Sequence, residues 1–82
     1  MTDEADKQGR LRAFVVRSLG KPDLTDDDDI FEVGEANSLY SMELVLFIEE
    51  KLAVPLDDDD LVRENFATLD AMGQMVNRKL RA

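Results

Sequence analysis

The sequence predicts an all-α fold, a four-helix bundle of three longer helices and one short helix with a long first loop. Three segments repeat apolar residues at the three- and four-residue spacings of a helical face. No segment has the strict alternation of apolar and polar residues that marks a half-buried strand. With 82 residues, 44% of them hydrophobic, the chain can form one modest core. We therefore expect a single domain over residues 1–82.

The first helix is predicted from about Asp6 to Leu19. One face of this helix is apolar: Leu11, Phe14, Val15 and Leu19. Gly20 and Pro22 should end it, and a long connection then runs to about Asn37. Because such a connection is unusual in a compact domain, we expect its apolar residues to anchor it on the core. These residues are Leu24, Ile30, Phe31 and Val33.

The second helix is predicted to begin at Asn37 or Ser38, since both residue types are good N-caps. It runs to about Leu52 and ends before Pro55, which cannot continue a helix. At about 100° per residue its apolar residues fall on two faces. The predicted core face is Leu44, Val45, Ile48 and Leu52.

The opposite face of the second helix carries a second apolar stripe, formed by Leu39, Met42 and Leu46. Glu43 and Glu50 border this stripe on one side and Glu49 on the other. An exposed apolar stripe framed by acids is typical of a surface that binds a partner. The stripe could instead be covered by the long loop or buried between the two halves of a dimer.

A short third helix is expected around Leu61 and Val62, after a run of four aspartates, with Asp60 or a neighbour as its cap. Thr68 is expected to cap the last helix, which runs to about Leu80. The apolar stripe of this helix is Leu69, Met72, Val76 and Leu80.

The composition argues against an independent enzyme. The chain has no cysteine and no histidine, so it lacks the commonest general base, the commonest metal ligand and any thiolate. The runs Asp26–Asp29 and Asp57–Asp60 lack the ligand spacing of an EF-hand loop. We therefore expect no catalytic residue and no metal site. The acidic, polar start of the chain is unlike a signal peptide, and no apolar run could span a bilayer, so a cytoplasmic location is expected.

The net charge of −9 is concentrated in the middle of the chain. Between Pro22 and Val62 there are fourteen acids and one base, Lys51. This surface should repel nucleic acid and attract partners that carry basic patches. The alternative is that the acids only keep the protein soluble.

Ser38 is the candidate functional residue because it lies where the long loop meets the second helix. It could be an ordinary N-cap. A nucleophilic role fails, since the chain has no histidine to activate the hydroxyl and no Gly-x-Ser-x-Gly motif. A third possibility is an attachment point, because a phosphodiester on this oxygen would lie at a helix N-terminus, which favours an anion.

Residues 29–39 read DIFEVGEANSL, and residues 42–45 and 48–50 read MELV and IEE. This pattern resembles the acyl carrier protein family. That family's signature is a loop ending in Gly, then Asp-Ser-Leu, then a helix with Glu-Leu-Val and Ile/Leu-Glu-Glu. The resemblance extends over essentially the whole chain, from the first helix through residues 68–71.

The resemblance implies a non-catalytic carrier with an acyl-carrier-like bundle and a covalent 4'-phosphopantetheine arm, derived from coenzyme A, on Ser38. The sequence leaves the oligomeric state open, with a monomer as the default expectation. The implied partners are a phosphopantetheinyl transferase, acyl-loading and acyl-modifying enzymes, and a synthase or acyltransferase, with neither nucleic acid nor membrane among them. The implied docking residues are Leu39, Met42, Glu43, Leu46, Glu49 and Glu50.

The sequence departs from the family pattern around the serine. Asn37 replaces the usual Asp, one extra residue follows Gly34, and Tyr40 replaces an acid or small polar residue. Asn-Ser-Leu followed by an aromatic residue resembles free-standing carriers of unusual polyketide extender units, such as hydroxymalonyl, methoxymalonyl or glyceryl groups. Two alternatives remain: an aminoacyl or peptidyl carrier, and an unmodified acidic helical adaptor in which Ser38 is only a cap.

Overall fold

The computed structural model describes residues 3–33 and 37–81, and within those ranges it contains helices and no strand. The α-helices are α1 (Asp3–Leu19), α2 (Ile30–Val33), α3 (Ser38–Leu46), α4 (Arg63–Phe66) and α5 (Leu69–Arg81). A π-helical turn over Phe47–Lys51 continues α3, and a 3-10 turn spans Asp58–Asp60. The predicted all-α fold is confirmed. Residues 34–36 of the loop motif lie outside the described residues.

The C-terminus of α1 is closed by a Schellman motif. The Gly20 N–H donates to the Arg17 carbonyl (3.2 Å), and the Lys21 N–H donates to the Val16 carbonyl (3.1 Å). Gly20 has a φ of 66°, a left-handed conformation that glycine adopts without a Cβ clash. The predicted end of the first helix at Leu19 is therefore confirmed, and its start is three residues earlier than Asp6.

The core lies where α1, α3 and α5 meet. Most of the predicted core-face residues are buried: Leu11, Val15, Leu44, Ile48, Leu52, Leu69, Met72 and Val76. The other residues of the predicted apolar faces are only partly buried against this core: Phe14, Leu19, Val45 and Leu80. The connecting segments and α5 contribute further buried residues: Leu24, Ile30, Val54, Phe66 and Met75. Burial of this apolar surface is the main favourable contribution to folding.

The long first loop contains the helical turn α2, which was not predicted from the sequence. Asp29 caps this turn, since its Oδ1 accepts from the Phe31 N–H (2.9 Å). The expected anchoring is confirmed for Leu24 and Ile30, which are buried. It is wrong for Val33, which is exposed at the end of the turn.

The loop is also tied to the N-terminus of α5 through the backbone. The Ile30 N–H donates to the Ala67 carbonyl (2.8 Å), and the Asp70 N–H donates to the Asp26 carbonyl (3.0 Å). At the same point Thr68 caps α5, accepting from the Ala71 N–H (3.0 Å). The predicted Thr68 cap is therefore confirmed.

The expectation that Asp60 or a neighbouring aspartate caps the short helix is wrong. The N-cap of α4 is Val62, which makes no side-chain capping bond, and α4 begins after Leu61 and Val62 rather than at them. Asp60 instead closes a capping box on its own 3-10 turn, accepting from the Asp57 N–H (2.8 Å). The aspartate run therefore orders the segment before α4.

Lys79 of α5 holds this 3-10 turn in place. Its Nζ lies 3.0 Å from an Asp57 carboxylate oxygen and 2.8 Å from an Asp60 carboxylate oxygen. The hydrogen bond from Lys79 lowers the pKa of Asp60, and the bonds to Asp60 and Asp57 raise the pKa of Lys79. Asp60 and Lys79 are therefore both charged around neutral pH, and the contacts of Lys79 with Asp57 and Asp60 fix the segment that leads into Leu61 and Val62.

α1 supplies cations to the C-terminal end of the α3 and π-helical segment. Lys7 Nζ donates to the Leu52 carbonyl, and Arg10 Nη2 donates to the Lys51 carbonyl (3.0 Å). Carbonyls at a helix C-terminus lack intrahelical partners, so basic side chains stabilise them. The predicted end of this helix near Leu52 is confirmed.

Candidate functional site

Ser38 is the first residue of α3, and its neighbour Asn37 is the N-cap. Asn37 Oδ1 accepts from the Tyr40 N–H (3.0 Å), and the Asn37 carbonyl accepts from the Ser41 N–H (3.0 Å). Of the two residues predicted as possible caps, Asn37 makes the cap and Ser38 is the first residue inside the helix. The Ser38 side chain lies outside what the structure describes, so its predicted role rests on its backbone position.

Replacing the usual acid by Asn37 leaves the start of this helix intact. An N-cap needs an oxygen that accepts from the first-turn amides, and an amide oxygen serves as well as a carboxylate oxygen. What changes is charge, since the first turn of α3 contains no acidic residue. An anion placed at this helix N-terminus would meet backbone N–H groups and no carboxylate within that turn.

Tyr40, a departure from the family pattern, ties the start of α3 to α1. It is only 9% exposed, and its ring stacks on Phe14 with the centroids 6.4 Å apart. Ser18 donates its hydroxyl hydrogen to the Phe14 carbonyl (2.7 Å), so we infer that Tyr40 donates its own hydrogen to Ser18 Oγ. Burial, with a smaller effect of the Glu43 charge, raises the pKa of Tyr40.

The apolar stripe on the outer face of α3 is exposed. Leu39, Met42 and Leu46 are 70%, 58% and 50% exposed. The described part of the long loop therefore leaves the stripe uncovered, which excludes that alternative for residues 20–33. Three more exposed apolar residues were not predicted as part of a surface: Val33, Leu61 and Val62. In the sequence, Leu61 and Val62 can be recognised as an apolar pair that directly follows four aspartates.

The three carboxylates that border the stripe are exposed but not equivalent. Glu49 accepts a hydrogen bond from the Leu56 N–H (3.2 Å), so it also orders the chain after the π-helical turn. Glu43 and Glu50 face a shallow groove beside Leu46 and Phe47.

A groove of about 520 Å³ lies between α3 and α4, and we call it the α3–α4 groove. Its lining residues are Phe31, Asn37, Ser41, Met42, Val45, Leu61, Val62, Arg63 and Phe66. Asn37 places one end of the groove at the start of α3, next to Ser38. Val45, predicted as a core residue, forms part of the groove wall, which explains its incomplete burial. No local pattern in the sequence indicates this groove, because it depends on how α4 packs on α3.

Comparison with known protein families identifies the family to which the chain belongs. A family model described as a phosphopantetheine attachment site matches residues 9–76. The chain belongs to this family. Searches among curated proteins and among solved structures found no significant match. Members of the family carry covalent 4'-phosphopantetheine, are generally non-catalytic, and work with phosphopantetheinyl transferases and acyl-handling enzymes.

The residues present fit a phosphopantetheine carrier. The predicted attachment residue stands at a helix N-terminus with no first-turn acid, which is where a phosphodiester is best accommodated.

Within residues 3–33 and 37–81, no group of histidine, cysteine or carboxylate side chains is arranged to hold a metal ion. No helix among these residues is both long and apolar enough to cross a membrane.

Changing Tyr40 to Phe should lower the free energy of unfolding by about 1 kcal/mol, because one partly buried hydrogen bond is lost. The Tyr40 pKa is raised in the folded state, so its stabilising effect is complete below the unfolded value of 10.0 and is lost as pH rises through the folded value. Chemical denaturation of both proteins below and above pH 10 measures both effects.

The same shift can be read directly, because the chain has one tyrosine and no tryptophan. Ultraviolet absorbance during an alkaline titration should place ionisation of Tyr40 above its value in denaturant. Identical midpoints in native and denatured protein would contradict the burial of this side chain.

Proposed function

We propose that Ser38 carries the 4'-phosphopantetheine arm and that the chain is an acyl carrier protein of polyketide or related secondary metabolism. It would present an acyl or extender-unit thioester to biosynthetic enzymes. The observation that supports this proposal is which residue makes the N-cap of α3 and which residue begins the helix. Asn37 makes the cap, and Ser38 is the first helical residue rather than the N-cap, at a position inside the matched family region. This also disfavours an unmodified adaptor in which Ser38 is only a cap.

Attachment would form a phosphodiester between Ser38 Oγ and phosphopantetheine and break the diphosphate of coenzyme A. The products would include adenosine 3',5'-bisphosphate and the proton of the hydroxyl. The chain has no histidine to remove this proton, and we infer that the transferase supplies the base. The attached arm supplies a thiol that holds acyl groups as thioesters. The contribution of this chain is position: the first amides of α3 favour the phosphodiester charge, and Asn37 and Tyr40 fix where those amides lie.

We also propose that partner enzymes bind the outer face of α3. Leu39, Met42 and Leu46 begin immediately after Ser38 and are exposed, so an enzyme bound there has the arm at its contact edge. Glu43, Glu49 and Glu50 would contact basic side chains of that enzyme. Surface charges of this kind mainly raise association rates and are weakened by salt. Such binding is suited to a carrier that visits several enzymes in turn.

The remaining parts of the proposal follow from the sequence. We infer that residues 1–82 act as a single, monomeric carrier domain in the cytoplasm. The cargo is inferred to be an unusual extender unit, on the resemblance of residues 37–45 to free-standing carriers of such groups.

The attachment proposal is tested by intact mass after incubation with coenzyme A and a promiscuous phosphopantetheinyl transferase. The wild-type chain should gain the mass of one phosphopantetheine group, and Ser38→Ala should gain nothing. Ser41→Ala is the matched control, because Ser41 is the next hydroxyl on the same helix face, and it should still be modified. Modification of Ser38→Ala would place the arm elsewhere, and no modification of wild type by several transferases would reject the proposal.

The docking proposal is tested by the kinetics of the same modification. Glu43→Lys and Glu50→Lys should each lower kcat/KM by about tenfold, or about 1.4 kcal/mol, mainly through KM. The loss should shrink as salt is added, because exposed charges are screened. Asp23→Lys, an exposed loop acid away from the stripe, makes the same change in net charge and serves as the control. Equal losses in all three variants would show that only net charge matters.

A further inference from the structure

The α3–α4 groove has an unusual charge for this protein. Among the described residues that line it, Arg63 is the one that carries a charge, although the preceding segment from Pro22 to Val62 carries fourteen acids and one base. We propose that this groove binds cargo that ends in a free carboxylate and that Arg63 recognises that carboxylate. The inference rests on the proposed function, since it requires cargo tethered at Ser38.

The groove begins at the attachment position. Asn37, which directly precedes Ser38, forms part of its lining, as do Ser41 and Met42. Residues three and four positions apart lie on the same face of a helix, so Ser41 and Met42 continue the face on which Ser38 lies. A phosphopantetheine arm that folded back from Ser38 along this face would lay its cargo against a partly apolar surface, with Arg63 on the opposite wall.

Arg63 is held in position while its donors remain accessible. Its guanidinium carbon lies 4.4 Å from the centroid of the Phe31 ring, a cation–π contact that uses no N–H group. The side chain is 63% exposed, and its Nη2 lies 3.8 Å from Asp29 Oδ2. That separation is an ion pair too long for a hydrogen bond, so the planar guanidinium keeps the fork of donors that matches a carboxylate.

The ion pair with Asp29 does not by itself explain why an arginine lies at this position. Its other oxygen, Oδ1, accepts from the Phe31 N–H (2.9 Å) and caps α2. A long, solvent-exposed ion pair contributes little to stability. Among the extender units suggested by the resemblance, hydroxymalonyl and methoxymalonyl carry a free carboxylate and glyceryl does not. The positive charge of Arg63 in the groove therefore favours a hydroxymalonyl or methoxymalonyl cargo over a glyceryl cargo.

Two acyl groups of nearly the same shape provide the test. A transferase can load the chain from malonyl-coenzyme A or from acetoacetyl-coenzyme A, which differ in a terminal carboxylate against a terminal methyl ketone. Intact mass first confirms loading. Nitrogen-15 spectra then follow the Arg63 Nε–H and the groove amides in four forms. These are the apo chain without the arm, the unloaded chain whose arm ends in a free thiol, the acetoacetyl form and the malonyl form. Carbon-13 shifts of labelled malonyl report the pKa of its carboxylate.

The malonyl form should shift the Arg63 Nε–H beyond the acetoacetyl form. The malonyl carboxylate should titrate about half a pH unit or more below its value in malonyl-coenzyme A, because a nearby cation favours the charged form. Arg63→Gln should abolish both effects, Arg63→Lys should keep part of the pKa shift, and Arg17→Gln, a surface arginine of α1, should change neither. Amide spectra of the variants verify that they fold.

Three results would overturn the inference. Equal shifts with both acyl groups would mean that the groove binds cargo without regard to charge. A full Arg63 shift already present in the unloaded form would assign Arg63 to the phosphodiester instead. A malonyl pKa that is unchanged by Arg63→Gln would remove the recognition role. A failure to gain mass would instead reject the proposed function, and the mass measurement distinguishes that case before any spectrum is recorded.

Discussion

The hydrogen bond from the Tyr40 amide to the Asn37 side chain, 3.0 Å long, determines where α3 begins. Every functional feature of the chain depends on that starting point. It makes Ser38 the first helical residue, places the stripe of Leu39 and Met42 on the outer face, and brings Asn37 to the end of the α3–α4 groove. If α3 began one residue later, Ser38 would itself be the N-cap and would no longer have a helical backbone conformation.

α1 holds α3 at both ends, and this explains how so small a domain fixes its functional helix. At the N-terminal end, Tyr40 packs on Phe14 and bonds to Ser18. At the C-terminal end, Lys7 and Arg10 bond to the carbonyls of Leu52 and Lys51. Two exposed apolar surfaces, the outer stripe and the groove, can then exist beside a core that is closed on the other side. The surfaces proposed for partner and cargo adjoin beside one attachment position and share Met42.

Much of this could be predicted from the sequence, because periodicity and caps are local signals. The helix faces of Leu11, Leu44 and Met72, the Thr68 cap and the stop at Gly20 all follow from residue type and spacing. The predicted exposure of Leu39, Met42 and Leu46 followed from a helix having more apolar surface than a small domain can bury.

The failures have a common physical cause, since each depends on contacts between distant segments. Asp60 was predicted to cap α4, but Lys79, nineteen positions further along the chain, draws it into its own turn. Val45 was predicted in the core, yet the packing of α4 leaves it in a groove wall. Val33 was expected to anchor the loop, but α2 turns it outwards. Arg63 and its groove were not predicted, because they form only when α2, α3 and α4 come together.

The central claim is that Asn37 caps α3 and that Ser38 is the first helical residue rather than the cap. Chemical denaturation of Asn37→Ala and Ser38→Ala tests it most directly. We expect Asn37→Ala to lower the free energy of unfolding by about 1 kcal/mol, while Ser38→Ala changes it by less than about 0.5 kcal/mol. A larger loss for Ser38→Ala than for Asn37→Ala would contradict this claim, because Ser38 would then be the cap.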